Sequence, residues 1–319
     1  MAETIRQNTR ANQRFEDCIF IGGATAVGKS AVALELAERI GGEIVSVDSM
    51  QVYRGLDIGS AKPSREEQQR VRHHLIDVVD LTDSFNAAQF LKEADKALGD
   101  IRVRGHVPIF CGGTGLYFKA FIKGLGSTPD RNPKLRAEVE ATPIPELLAE
   151  LRKFDPVAFE SIDRNNPRRV FRAVEVIRST GKPFSAQRSD WGGATPVQSE
   201  APHFFGLTRS PGDSVERIRT RVDQMFRDGL VAETECLLQK GLAQNRTAMQ
   251  ALGYHQVVEH LRGERSLEET IDLVKIRTRQ FAKRQLTWFR GQFRPEWILL
   301  EPQTSPSEAC EKILSAWRK

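Results

Sequence analysis

Short apolar runs alternate with amphipathic stretches through the first third of the chain, and the two patterns predict different elements. Four apolar runs are typical of buried strands: Cys18–Ile21, Glu43–Val47, His73–Val79 and Val107–Cys111. Between them, residues 31–40 and 86–103 carry apolar side chains at a helical period. Strands that alternate with helices in this order predict an α/β fold, with a parallel sheet covered by helices on both faces.

The pattern changes after Gly124. Four prolines between residues 127 and 145 interrupt the alternation, and helical patterns follow as far as residue 180. A further strand-like run, 203–207, precedes a mostly helical remainder. The domains predicted from these changes are a disordered lead-in at 1–16, an α/β core at 17–126, a helical insertion at 127–200, and a return to the core with a helical C-terminal region at 201–319.

The composition narrows the class of protein without naming its chemistry. Of 319 residues, 47 are basic and 42 acidic, and the net charge of +5 permits a polyanionic partner without requiring one. The four cysteines lie far apart and lack metal-ligand spacing, so we expect reduced thiols. No segment reads as a membrane span or a secretory signal. We therefore expect a cytoplasmic protein with no membrane contact.

The glycine-rich stretch between the first strand and the first helix carries the strongest chemical signal. Gly23–Ser30 reads Gly-Ala-Thr-Ala-Val-Gly-Lys-Ser, which fits the phosphate-loop pattern G-x-x-x-x-G-K-[ST]. In such a loop, backbone N–H groups and the helix N-terminus surround phosphate oxygens. Lys29 is then placed to reach the outer phosphate, and the Ser30 hydroxyl to ligate Mg2+. The loop predicts a site for a di- or triphosphate, whether or not a nucleotide carries it.

Asp48 follows the second strand directly, at the edge where open parallel sheets bind their ligands. Two interpretations fit this position about equally. In one, the Asp48 carboxylate faces the phosphate loop. In the other, it caps the start of a helix, as Asp often does at such a turn.

Two basic segments are also open to two interpretations. One is the predicted helix 168–180, with four arginines; the other is Leu273–Arg294, which holds seven cations, no acid, and four aromatic residues between the cations. Cations hold phosphates and aromatic rings stack on bases, so both segments are candidates for nucleic-acid binding. Both are also typical of amphipathic helices whose cations simply face water.

Five blocks of the sequence, taken together, resemble the tRNA dimethylallyltransferases, also called tRNA isopentenyltransferases. The blocks are Gly23–Ser30, Asp48–Pro63, Gly112–Tyr117, Asn166–Val176 and Thr278–Trp288. The resemblance covers roughly residues 18 to 292, and the second block is its most specific part. It implies a P-loop NTPase-like core and transfer of a dimethylallyl group from dimethylallyl diphosphate to N6 of the adenosine 3′ to the anticodon. That adenosine is at position 37 of tRNAs reading codons that begin with U.

The resemblance also implies a cofactor, partners and site residues. The cofactor is Mg2+ at Ser30, and the partners of a monomeric enzyme are dimethylallyl diphosphate and the tRNA anticodon stem-loop. The implied catalytic residues are Asp48 as general base, Thr25 and Arg217. The implied diphosphate-binding residues are Gly23, Ala24, Thr25, Ala26, Val27, Gly28, Lys29, Ser30 and Arg221. The implied tRNA-binding residues are Asp48, Ser49, Met50, Gln51, Thr114, Arg136, Arg168, Arg169, Val170, Phe171, Arg172, Gln250, Gly253, Tyr254, His255, Lys283, Arg284, Gln285, Trp288 and Arg290.

Some positions depart from the family pattern. Ala24 and Val27 stand where many members have Pro and Ser, Asn132 replaces an Asp, and His255 replaces an Arg. These changes affect fine tRNA contacts, not the chemistry. No Cys/His block follows the core, so we expect a bacterial-type enzyme without a zinc-finger extension. The alternative is a P-loop small-molecule kinase, in which ATP fills the loop and Asp48 deprotonates a hydroxyl. That alternative leaves the insertion and the basic C-terminal half without a role.

Overall fold

A computed structural model describes residues 14–125, 132–187 and 201–318, with a parallel sheet at the centre. Its strands are β1 (Ile19–Gly23), β2 (Gly42–Val47), β3 (His73–His74), β4 (Val107–Gly112), β5 (Phe204–Arg209) and β6 (Glu296–Leu300). They lie in the order β3-β2-β4-β1-β5-β6, and every neighbouring pair is parallel. The predicted α/β class is confirmed.

Strand β1 is buried along its whole length, which explains its unbroken apolar run. The predicted third strand ends early, after His74, because Leu75 and Asp77 adopt φ angles of +61° and +54° that no strand can continue. Strand β6 was not among the predicted strands, although its run Trp297–Leu300 is the kind of pattern that indicates one.

Helices occupy much of the remaining described chain. In order they are α1 (Lys29–Ile40), α2 (Arg65–Arg70), α3 (Ala87–Val103), α4 (Gly115–Lys123), α5 (Pro133–Ala141), α6 (Ile144–Phe154), α7 (Pro156–Ser161), α8 (Pro167–Thr180), α9 (Phe184–Gln187), α10 (Pro211–Arg227), α11 (Leu230–Gln239), α12 (Tyr254–Leu261), α13 (Leu267–Gln292) and α14 (Pro306–Trp317). Capping boxes begin several of them; at α13, for example, Ser266 and Glu269 satisfy each other's backbone N–H groups.

The two faces of the sheet carry different cores. Aliphatic side chains from the strands pack with α1 and α14 on one face, and aromatic side chains pack with α3, α4 and α13 on the other. On the aromatic face, Phe20 stacks on Phe110 with ring centroids 5.1 Å apart. Phe15 joins this cluster and is 1% exposed, so ordered structure begins before residue 17. The rest of the predicted lead-in, residues 1–13, lies outside the described residues.

The chain divides into two compact units, one of residues 1–123 with 196–319 and one of residues 124–195. The bounds of the second unit are close to those of the predicted insertion, 127–200. Helices α5 to α9 belong to it, and they enclose a small core of their own whose members include Val139, Leu147, Leu151, Val170 and Val174. No helix of the described residues has the length and apolar character needed to cross a membrane.

Candidate active site

The phosphate loop connects β1 to α1 through a tight left-handed path. Gly28 precedes the first residue of α1 with φ of +102°, and Ala26 adopts φ of +64°, a conformation that is unusual for a residue with a side chain. No side chain caps this end of α1. Its first N–H groups therefore remain available to an anion, as the phosphate-loop pattern predicts.

Lys29 lies inside the loop, and its Nζ donates a hydrogen bond to the Ala24 carbonyl at 2.6 Å. Shielding of the ammonium group from water lowers the pKa of Lys29 to about 8, and the charge of Arg221 acts in the same direction. The Cys111 thiol lies close by, and burial raises its pKa to about 11. The lowered pKa means that the surroundings disfavour the charged form of Lys29, and a bound anion would favour that form.

Three arginines approach the loop from β5 and α10. Arg209 donates to the Val27 carbonyl and Arg217 to the Ala26 carbonyl, each through Nε at 2.9 Å. The Arg221 guanidinium makes no hydrogen bond or ion pair with any residue that the structure describes, and burial lowers its pKa. A cation that is shielded from water without a partner is costly, so the environment of Arg221 is suited to a bound anion.

No helix begins at Asp48; its carboxylate caps a turn instead, and it also lies near the cations of the phosphate loop. One carboxylate oxygen, Oδ1, accepts hydrogen bonds from the N–H groups of Met50 at 2.8 Å and Gln51 at 3.4 Å, which fixes the turn after β2. At the same time its charge partly opposes the lowering of the Lys29 and Arg221 pKa values that desolvation causes. The Asp48 carboxylate is therefore held by the turn within electrostatic range of Lys29 and Arg221.

A second loop, after β4, supports this turn. Its Thr114 N–H donates to the Val47 carbonyl, and Thr114 Oγ1 accepts from the Ser49 N–H, both at 3.1 Å. The Gln51 side chain turns inward, where its Oε1 accepts from Ser46 Oγ at 2.8 Å and its Nε2 donates to Ala61 O at 3.1 Å. These bonds tie the ends of β2 and β4 and the 48–63 segment into one wall beside the phosphate loop.

Helix α13 lies along the same edge of the sheet. The aromatic residues in it and directly after it have two different roles. Phe289 and Phe293 are 1% exposed and belong to the core, as the amphipathic interpretation required. Phe281 is 38% exposed. A groove of about 450 Å³ on the same helix is lined by Gln280, Lys283, Arg284, Thr287 and Trp288. The exposed face of α13 thus combines cations with aromatic surface.

Comparison with known proteins identifies the family of this chain. The family model for IPP transferase matches residues 51–292. The chain belongs to the IPP transferase family.

Other members of the family resemble the chain over most of its length. It is 44% identical over 284 residues to tRNA dimethylallyltransferase 1 of Trichlorobacter lovleyi, covering 88% of this chain and 92% of that one. A solved tRNA isopentenylpyrophosphate transferase from Bacillus halodurans is 38% identical, with a TM-score of 0.68 and coverage of 94% and 96%. A eukaryotic dimethylallyltransferase, solved while acting on tRNA, is 28% identical, with a TM-score of 0.72 and coverage of 89% and 73%. The predicted family is confirmed.

Two of the side chains predicted to bind tRNA are fully buried in this IPP transferase, so they do not contact an external partner. Tyr254 is 0% exposed; its hydroxyl accepts from the Gly59 N–H at 3.0 Å and donates to Glu233. Val170 is likewise 0% exposed, within the core of the second unit. Both predictions are corrected to structural roles, because burial leaves no surface for RNA. The neighbouring His255, by contrast, is exposed, and its Nε2 lies 3.4 Å from the Glu259 Oε1.

The arginines of the second unit fall into two groups. Arg168 and Arg169 are exposed near the start of α8. Arg136 and Arg172 each place a guanidinium nitrogen 3.4 Å from the buried Glu175 carboxylate. Arg136 also lies over the Phe171 ring, 5.3 Å from its centroid. The first pair is therefore exposed, whereas in the second pair Arg136 joins α5 to α8 and Arg172 pairs with Glu175 within α8.

Sequence reasoning missed two residues that organise the site of this IPP transferase. Arg209 bonds Val27 of the phosphate loop, Asp213 and the Glu301 carbonyl, so it anchors the loop to β5. Glu233 accepts from the Ile58 N–H and from Tyr254, and so holds the 48–63 segment. A charged residue at the end of a buried strand was the available signal for Arg209. Glu233 lies on an ordinary helix, and its sequence context carries no such signal.

Proposed function

We propose that this protein transfers a dimethylallyl group from dimethylallyl diphosphate to N6 of adenosine 37, next to the anticodon, in tRNAs that read codons beginning with U. Diphosphate is the other product. The observation that carries the proposal is the position of the Asp48 carboxylate, which is fixed by backbone N–H groups and lies close enough to Lys29 and Arg221 for its charge to favour their protonated forms. Membership of the IPP transferase family supports the same reaction.

The acceptor amine needs a base, because its lone pair is delocalised into the adenine ring. Asp48 accepts a proton from N6 as the new carbon–nitrogen bond forms and the carbon–oxygen bond to diphosphate breaks. Because Oδ1 is already held by the turn, the carboxylate keeps its orientation during this transfer. Thr25 contacts the oxygen that joins the prenyl carbon to phosphate. The adenosine must leave the anticodon stack to reach this position, where Ser49 and Thr114 line its path.

The leaving diphosphate accumulates negative charge, and the phosphate loop receives it. The loop N–H groups, Lys29, Arg217 and Arg221 surround this charge, and a bound anion relieves the cost of shielding the Arg221 cation from water. These donors are fixed before the reaction begins, so they stabilise the departing group without reorganising.

We propose Mg2+ as the cofactor at Ser30. The Ser30 side chain is exposed at the start of α1 and makes no hydrogen bond to any described residue. Among those residues no cluster of three or more His, Cys, Asp or Glu is placed to hold a metal. A hydroxyl beside a diphosphate suits Mg2+, which prefers few protein ligands together with substrate phosphates and water. Bound there, the ion would neutralise charge on the diphosphate.

Two sets of exposed cations are proposed to bind tRNA, one on α13 and one in the second unit. Lys283, Arg284 and Arg290 are exposed on α13, and Trp288 adds aromatic surface beside the first two. Arg168 and Arg169 are exposed on α8. Cations of this kind bind phosphates, and aromatic faces accept unstacked bases. We further propose that the enzyme acts as a monomer in the cytoplasm, where its tRNA substrate is found.

One experiment separates this reaction from the kinase alternative. Purified protein is incubated with unmodified anticodon stem-loop RNA and either dimethylallyl diphosphate labelled in the prenyl group or ATP labelled in the γ-phosphate. We expect the prenyl label to enter the RNA at adenosine 37, and the ATP label to stay on nucleotide. Phosphoryl transfer without prenyl transfer would contradict the proposal.

A further inference from the structure

Gln285 on α13 makes two hydrogen bonds that join separate parts of the site. Its Oε1 accepts from the Thr25 N–H at 2.8 Å, and its Nε2 donates to the Gly113 carbonyl at 2.9 Å. Thr25 belongs to the phosphate loop, and Gly113 to the loop after β4. Both ends of one carboxamide are thus satisfied by backbone groups of two different loops.

This contact is built into the chain by two glycines. A Cβ atom at Gly113 would lie 2.5 Å from Gln285 Nε2, and one at Gly115 would lie 2.1 Å from the Trp288 ring. A Cβ at Gly113 would therefore displace the Gln285 amide from its hydrogen bond, and a Cβ at Gly115 would displace the Trp288 ring. Gln285 and Trp288, three residues apart, share one face of α13. Because Gly113 and Gly115 lack side chains, this face of α13 can pack closely against the loop.

The two loops carry the two halves of the proposed reaction. Thr25 lies where the prenyl diphosphate is proposed to bind. Thr114, next to Gly113, accepts the Ser49 N–H and so supports the turn that carries Asp48. The Gln285 carboxamide is therefore the bridge by which the donor loop and the acceptor loop are both attached to α13.

We infer that Gln285 is a positioning residue that sets the distance between the prenyl carbon and the adenosine amine. The inference rests on the proposed function, and it assigns the inward-facing carboxamide to the two loops instead of to direct tRNA contact. Reaction between two bound partners needs their reacting atoms about 3–3.5 Å apart, and a misplacement of about 1 Å can cost roughly a hundredfold in rate. Removing the bridge allows the loops to shift separately, while each still binds its own substrate.

Gln285→Met tests this inference, because it keeps the side-chain volume and removes both hydrogen bonds. Gln292→Met is the matched control. Gln292 lies two turns further along the same helix, and its Oε1 accepts from the buried Lys119 Nζ at 2.8 Å, away from the phosphate loop. The measurements are the single-turnover rate of prenyl transfer, the Kd of inorganic pyrophosphate, the Kd of the anticodon stem-loop RNA, and the thermal midpoint of each variant.

For Gln285→Met we expect a rate about 10- to 100-fold below wild type, with both Kd values within about threefold of wild type. For Gln292→Met we expect a similar loss of thermal midpoint and a rate within about twofold of wild type. Gln285→Asn serves if the Met variant does not fold. It keeps the amide but is one methylene too short to reach both partners, so its rate should also fall at least about tenfold.

Three results would overturn the inference: a rate for the folded Gln285 variant near that of wild type, equal rate losses in the two glutamine variants, or a loss confined to either Kd. The wild-type reaction in the same series tests the proposed function separately. If wild-type protein transferred no prenyl group to the RNA, the proposed function would fail, whatever the variants did.

Discussion

Because the pKa of Lys29 is lowered, the binding of dimethylallyl diphosphate should depend on pH, and the size of this effect can be calculated. Lys29 has a pKa of about 8 in the free protein, and a bound diphosphate favours its charged form. Raising the pH therefore deprotonates the free protein and weakens binding. The Kd scales with 1 + 10^(pH − pKa), which is about 1.1 at pH 7 and about 11 at pH 9, so the Kd should rise about tenfold.

The measurement is the Kd of dimethylallyl diphosphate at fixed Mg2+ and without RNA, so that no turnover occurs, at intervals from pH 6.5 to 9 or so. The Cys111 thiol does not interfere, because burial raises its pKa to about 11. Lys29→Arg is the control. A guanidinium stays protonated over this range, so its Kd should be higher overall but nearly independent of pH.

Two outcomes would refute this reasoning. A flat profile for wild-type protein would mean that Lys29 is charged throughout or does not touch the diphosphate. An equal slope in the Lys29→Arg variant would assign the titration to another group.

Three further predictions follow from the same structure. Asp48→Asn should lower the single-turnover rate about a hundredfold or more and leave folding and RNA affinity nearly unchanged, whereas a rate near wild type would exclude Asp48 as the base. Replacing both Arg168 and Arg169 by Ala should weaken RNA binding and flatten its dependence on salt without changing pyrophosphate binding; an unchanged slope would show that these arginines only face water. Burial alone would raise the pKa of Glu43, but hydrogen bonds from Arg104 and two histidines lower it to about 2. The ionised Glu43 carboxylate therefore contributes at most about 3 kcal/mol to the free energy of unfolding. This contribution is complete above the ordinary pKa of 4.5 and declines as the pH falls towards 2. Glu43→Gln should lower the midpoint of urea unfolding at pH 7 and reduce its acid dependence, and identical acid dependence in the two proteins would contradict this.

The phosphate loop and the strand–helix alternation could be predicted because both depend on neighbours in the sequence. The order Gly28, Lys29, Ser30 directs consecutive backbone N–H groups to one point, and the apolar run of β1 is set by burial on both faces. The third strand was overestimated because its end depends on left-handed conformations at Leu75 and Asp77, which their residue types do not predict.

The sequence alone could not distinguish residues of the core from exposed residues that could contact a partner. Phe281 and Phe289 both lie on α13 among cations, and their side chains look equivalent in the sequence. The first is 38% exposed and the second 1%, because only the second faces the sheet. Tyr254 is among the residues that the family resemblance implies for tRNA binding, yet its buried hydroxyl bonds the Gly59 N–H and Glu233. Burial depends on what packs against a residue, and that partner is often distant in the chain.

The sequence by itself determined the family, the α/β core and the chemistry of the phosphate loop, since each depends on a motif or on a local period. Only the tertiary structure decided how the parts of the site are joined. Gln285 reaches Thr25 across 260 positions, and Arg209 reaches Val27 across 182. The physical reason is that a side-chain hydrogen bond records a distance in space, and the folded sheet and helices, not the order of residues, establish that distance.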